Sequence, residues 1–141
     1  MKVWKGALVF VLAVGLAGFF GCKGGGKYGD AKAVMNDTLK AMENFINGMD
    51  KAGDSQAVVK ALNAFSADMK ELKPKLKELE KKYPELKDQE NPPEELKEQT
   101  KMMEEMSGKL MGAMMKLFQY AEDPEVQKAQ EAMNKLMMED N

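Results

Sequence analysis

The chain has 141 residues, 44% of them hydrophobic and 31% charged, with a formal net charge of −2 and a single cysteine. All of its basic residues are lysine, and it has no histidine. Without arginine's bidentate fork a nucleic-acid surface is unexpected, and the missing imidazole removes the commonest general base, zinc ligand and haem ligand together. No nucleophile–base pair or carboxylate dyad stands out by spacing, so the chain is not read as an enzyme and no catalytic, cofactor or metal residue is assigned.

Met1 to Lys5 carry two lysines, and Gly6 to Phe20 then run without a charge. A basic start followed by an apolar stretch this short has the form of a signal peptide rather than a membrane-spanning helix. The stretch ends at Gly21-Cys22, followed by Lys23 and three glycines. Gly21-Cys22 resembles the lipobox of bacterial lipoproteins, although Phe19 and Phe20 depart from its usual Leu and small residue. The resemblance implies cleavage before Cys22, lipid on its sulfur and anchoring in the cell envelope. In that family an Asp after the cysteine holds the protein at the inner membrane. Lys23 in its place implies the outer membrane, where the cell has one, with the body in the periplasm. Residues 1–21 are thus expected to be a signal peptide, and 22–29 a lipidated cysteine with a glycine-rich linker reaching about 15 Å as a flexible coil.

From residue 30 to 141 the pattern is helical throughout and describes one domain of a size that supports its own core. Asp30 is the expected N-cap of a first helix running to about Lys51, with Met35, Leu39, Met42, Phe45, Ile46 and Met49 on its apolar seam. Gly53 is the expected C-cap, and Asp54 or Ser55 the next N-cap. The second helix keeps an unbroken four–three alternation through Val58, Leu62, Phe65, Met69, Leu72, Leu76, Leu79 and Tyr83. Because the seam keeps its phase across Pro74, one kinked helix is expected rather than two. The run "KELKPKLKELEKK" reads as its solvated face, with Glu71–Lys75 and Glu78–Lys82 as i,i+4 pairs and Lys77 exposed.

After a polar connection, Asn91 is expected to cap a third helix with Pro92 at its first position. Its seam is Leu96, Gln99, Met103, Met106, Leu110, Ala113, Leu117 and Tyr120. Asp123-Pro124-Glu125 restarts a shorter fourth helix with Val126, Ala129, Met133 and Leu136 inward. Two tight turns and one longer middle connection predict an all-α, up-down-up-down four-helix bundle with helices crossing at about 20°. The rival arrangements are a three-helix core with the short last helix draped over it, or a coiled-coil oligomer.

Fourteen methionines is a high number, and Met102, Met103, Met106, Met111, Met114 and Met115 all fall in the third helix. Methionine fills irregular cores, and Met103 and Met106 already lie on the seam. The other reading is a thioether site for a soft ion such as Cu(I), for which Met103/Met106 and Met111/Met114 have usable spacing.

"KAGDSQAVVKAL", through Lys51, Ala52, Val58, Ala61 and Leu62, resembles the first turn and second-helix start of the soluble periplasmic cytochrome b family. So does "AEDPEVQKAQEAMNKL", through Ala121, Val126, Ala129, Gln130, Ala132 and Leu136. The resemblance implies the bundle. In that family a first-helix methionine and a late fourth-helix histidine hold the haem. The methionine's place falls here on Leu39, one turn from Met35 and Met42, and the histidine's place lies beyond Asn141. Met133 or Met137 is the remaining conceivable partner on the fourth helix, while Phe45, Phe65 and Phe118 are expected to fill the core where a porphyrin would sit.

The leading expectation is a lipid-anchored helical bundle that binds a protein or envelope partner and catalyses nothing. A homo-oligomer belongs to the same class. A haem-binding electron carrier and a methionine-based Cu(I) binder are the alternatives.

Overall fold

The computed structural model describes residues 26–87 and 91–138. Four α-helices and three short 3-10 turns make up the described residues, among which there is no strand. The helices are α1 (Gly29–Lys51), α2 (Ser55–Lys82), α3 (Lys97–Leu117) and α4 (Pro124–Met138). The fold is an up-down-up-down four-helix bundle. No helix among the described residues is long and apolar enough to cross a membrane.

α1 buries Leu39, Met42, Phe45, Ile46 and Met49 from the expected seam, and widens it with Ala31, Thr38 and Ala41. Thr38 is tolerated inside because its hydroxyl donates to the Val34 carbonyl at 2.9 Å. Asp30 is not the N-cap: Tyr28 holds that place without a side-chain bond, and Asp30 lies inside the first turn. At the other end the chain leaves the helix through Ala52 in an extended conformation. Gly53 is therefore not a left-handed cap; the one described glycine with positive φ is Gly26.

Asp54 caps α2 as expected, its carboxylate accepting from the Ala57 amide at 2.8 Å. All eight predicted seam residues of this helix are buried, and it runs unbroken through Pro74. Pro74 lies on the exposed side, so the Lys70 carbonyl that loses its partner can be met by water. The supposed solvated face is not uniformly wet. Lys73 is buried and Lys77 half-buried, because long lysine stems lie along the flanks of the seam. Nor are the ion pairs within α2: Lys75 reaches Asp37 of α1 at 3.6 Å, and Lys82 pairs with Asp30.

α3 starts later than expected. The chain passes through 3-10 turns at Pro84–Lys87 and Glu94–Leu96, and α3 begins at Lys97 with no side-chain cap. The cause is the second proline of Asn91-Pro92-Pro93. A residue before proline is kept out of the helical region, so Pro92 cannot open a helix that Pro93 would have to continue. Pro93 is extended, with φ −51° and ψ 142°. The seam itself is placed as expected, with Leu96, Gln99, Met103, Leu110, Ala113 and Leu117 buried and Met106 and Tyr120 packed against the core.

Asp123 caps α4 through its carboxylate, which accepts from the Glu125 amide at 2.9 Å, and Pro124 takes the first helical position. The Ser55 hydroxyl, then the Glu125 amide, hold the Asp123 carboxyl below its usual value. The starts of α2 and α4 are thereby tied together.

Packing order differs from chain order. α1 packs on α2, α3 on α1 and α4 on α2, so the sequence around the bundle is α3, α1, α2, α4. Lys116 donates to the Met49 and Asp50 carbonyls at 2.6 and 3.1 Å, which places the C-terminal ends of α1 and α3 together. The core is centred on the α1–α2 pair. There the Phe45 and Phe65 rings lie 4.9 Å apart. Gly48 permits a close helix approach, because a Cβ added to it would come within 3.1 Å of the Ala61 Cβ.

Candidate functional site

Two regions carry more than packing: the base, where the chain enters the bundle, and the outer face of α3. Cys22, the expected lipidation site, lies outside the described residues, as does the apolar stretch before it.

The base begins earlier than the expected linker boundary at residue 29. Lys27 donates to the Glu85 carboxylate at 2.7 Å, and the Tyr28 hydroxyl donates to the same oxygen at 2.8 Å. The Tyr83 hydroxyl lies 2.6 Å from the Lys27 carbonyl and 2.8 Å from the Asp30 carboxylate. The Tyr28 and Tyr83 rings sit 5.1 Å apart, so the clasp has an aromatic as well as a polar part. It pins the entry of α1 to the exit of α2. Sequence patterning placed Tyr83 on the seam but gave no sign of its partners, because the contacts join residues more than fifty positions apart.

These groups shape each other's charge. The Lys27 ammonium, then backbone and Tyr28 bonds, pull the Glu85 carboxyl down to about 2 from its ordinary 4.5. For Asp30, partial burial pushes the carboxyl up, but the Lys82 and Tyr83 bonds and the Ala31 amide outweigh it and the net direction is down. Lys27 and Lys82 are correspondingly raised by their carboxylate partners. A depressed carboxyl contributes stability that is complete above its unfolded value and is lost as pH falls through its folded value. The clasp is therefore intact above pH 4.5 and opens as the pH falls toward about 2. The Tyr28 ring resonances should shift as Glu85 titrates at about 2, and those of Tyr83 below the ordinary carboxylate range, while the Leu62 methyls stay native. Titration of the rings at the ordinary carboxylate value would contradict the clasp.

The outer face of α3 is the second region. Met111 and Met115 are 40% and 64% exposed, and Phe118, just past the helix, is 77% exposed. Phe118 was expected in the core; the 3-10 turn Phe118–Tyr120 keeps Tyr120 against it and leaves Phe118 in solvent. Met111, Met114, Met115 and Phe118 follow an i, i+3, i+4, i+7 pattern, a second apolar face beside the buried seam. Gly108 and Gly112 adjoin it, and a Cβ at either would meet nothing within 4 Å. The charges along this stretch, Lys109 and Lys116, lie together on the opposite flank.

The methionines divide accordingly. Met42, Met49, Met69, Met103 and Met133 are buried and serve the core, whereas Met102, Met111, Met115 and Met138 face solvent. Among the described residues no group of three or more His, Cys, Asp or Glu gathers as a metal site. Leu39, expected from the resemblance at the haem-methionine place, is buried in α1, with Met42 fully buried and Met35 half-buried beside it. Met133 and Met137 lie on α4, which packs on α2 rather than α1. No family model, curated protein or solved structure matches the chain.

Proposed function

We propose that the protein is a lipid-anchored envelope bundle that acts without catalysis, by docking another macromolecule on the outer face of α3. The observation that carries this reading is that face: large apolar side chains gathered in solvent are the usual mark of an interaction surface. Residues 26–28 belong to the bundle, so only Cys22 to Gly25 separate it from the proposed lipid, at most about 14 Å of extended chain. Lys116 sits at the C-terminal end of α1, whose other end receives the tether. The 23 residues of α1 put the docking face about 30 Å from the anchored end.

Replacing Cys22 with Ser tests the anchoring. The wild-type chain should sediment with membranes and require detergent for release, whereas Cys22→Ser should keep its signal segment or appear in the soluble envelope fraction. Identical fractionation, with both chains cut to the same N-terminus, would overturn it.

A further inference from the structure

We propose that the occupant of the outer face of α3 is a second copy of this chain, packed antiparallel along α3. This deepens the docking reading above and does not depend on the lipid. Two observations point to close helix contact. Gly108 and Gly112 cost α3 about 1 kcal/mol each relative to alanine, yet among the described residues no group approaches closely enough to require either. They stand beside Met111 and Met115, in an exposed stretch whose Gly-to-Gly spacing of one turn lets another helix come near.

Charge selects the partner and its direction. Glu104 and Glu105 precede the apolar face, and Lys109 and Lys116 lie together along one flank of it. A parallel pair of copies would set like beside like. An antiparallel pair centred on Met111 and Gly112 brings Glu105 of each copy to the flank carrying Lys116 of the other, and repeats the contact by two-fold symmetry. Lys116 already donates to two carbonyls and has a third N–H to offer. The tethers then leave from opposite ends of the pair, which therefore lies along the membrane rather than standing on it.

A single helix pair this short buries less than the ~1,200 Å² of a stable interface, so the association is weak in solution. Sedimentation equilibrium of the mature chain from residue 22, carrying Cys22→Ser, should show the average mass rising from monomer toward dimer between about 10 µM and about 1 mM. Every described core residue lies inside this chain. Met115→Glu should abolish the rise while leaving the helical content and the melting curve unchanged. Glu105→Lys and Lys116→Glu should each stay monomeric alone and associate when mixed, because the mixture restores both charge pairs.

A wild-type chain still monomeric at about 1 mM, or a Met115→Glu chain that associates like wild type, overturns the proposal. So does flotation of the unlipidated chain with phosphatidylethanolamine–phosphatidylglycerol vesicles that is lost in Met115→Glu, which would assign the face to the bilayer. Either result leaves the anchoring at Cys22 standing, and a failed fractionation test leaves the self-association standing.

Discussion

Leu62→Ala should destabilise the bundle by about 2–5 kcal/mol, and Lys70→Ala by no more than about 0.5 kcal/mol. Leu62 is fully buried in the middle of the α1–α2 pair, beside the seam residues Val58, Phe65 and Met69. Truncation loses the transfer free energy of three carbons and leaves a cavity that close-packed neighbours fill only in part. Lys70 is exposed on the same helix. Lys77, expected to be exposed, is half-buried and would not report a surface effect alone. Denaturant unfolding of the two variants measures both values. A Lys70→Ala loss as large as that of Leu62→Ala would mean that α2 faces the wrong way.

Lys73→Ala should cost about 2–3 kcal/mol, an effect larger than any surface lysine permits. Lys73 is 9% exposed, and its ammonium donates to the Leu136 carbonyl in the last turn of α4. A positive charge there meets carbonyls that lack helical partners and the negative end of the helix dipole. Its stem also packs along the seam. Lys73→Met retains the stem and loses the charge, so it should recover part of the loss. Amide exchange localises the effect: protection should fall first in the last turns of α4 and leave the α1–α2 pair unchanged. Uniform loss across all four helices would contradict the clamp.

What could be read in advance follows the range of the interactions. The α2 seam was legible residue by residue, because a fixed helical period repeats over eight turns and needs no knowledge of neighbours. Asp54 and Asp123 were legible as caps because capping is local. Asp30 has the same chemistry, but a distant tyrosine and lysine recruit it to the clasp. Asn91 failed as a cap for a local reason that was present in the sequence, the second proline. Lys73, Gly48 and the Lys75–Asp37 pair depend on which helix lies alongside. The packing order α3, α1, α2, α4 follows from no turn signal, since the long connection after α2 permits α3 to pack on either neighbour. Met102, Met111 and Met115 were already out of place on the seam, and their exposure turns that irregularity into a surface.

The resemblance to soluble cytochromes b expected from the sequence has no matching family or structure behind it, and haemin binding is its test. Its methionine position is occupied by buried Leu39, and the methionines beside it belong to α1 and not to a helix packed against α4. A sharp stoichiometric Soret shift on adding haemin, abolished by Met35→Ala or Met42→Ala, would favour the electron carrier over the docking body.

The proposed anchoring would set the α3 face at a membrane, and the intact mass of the protein extracted from the membranes of the cells that produce it tests this most directly. The expected result is a chain beginning at Cys22 whose excess mass is that of thioether-linked diacylglycerol, with or without a third acyl chain on the amine. A chain beginning at Met1, or one with an unmodified Cys22 thiol, would contradict it.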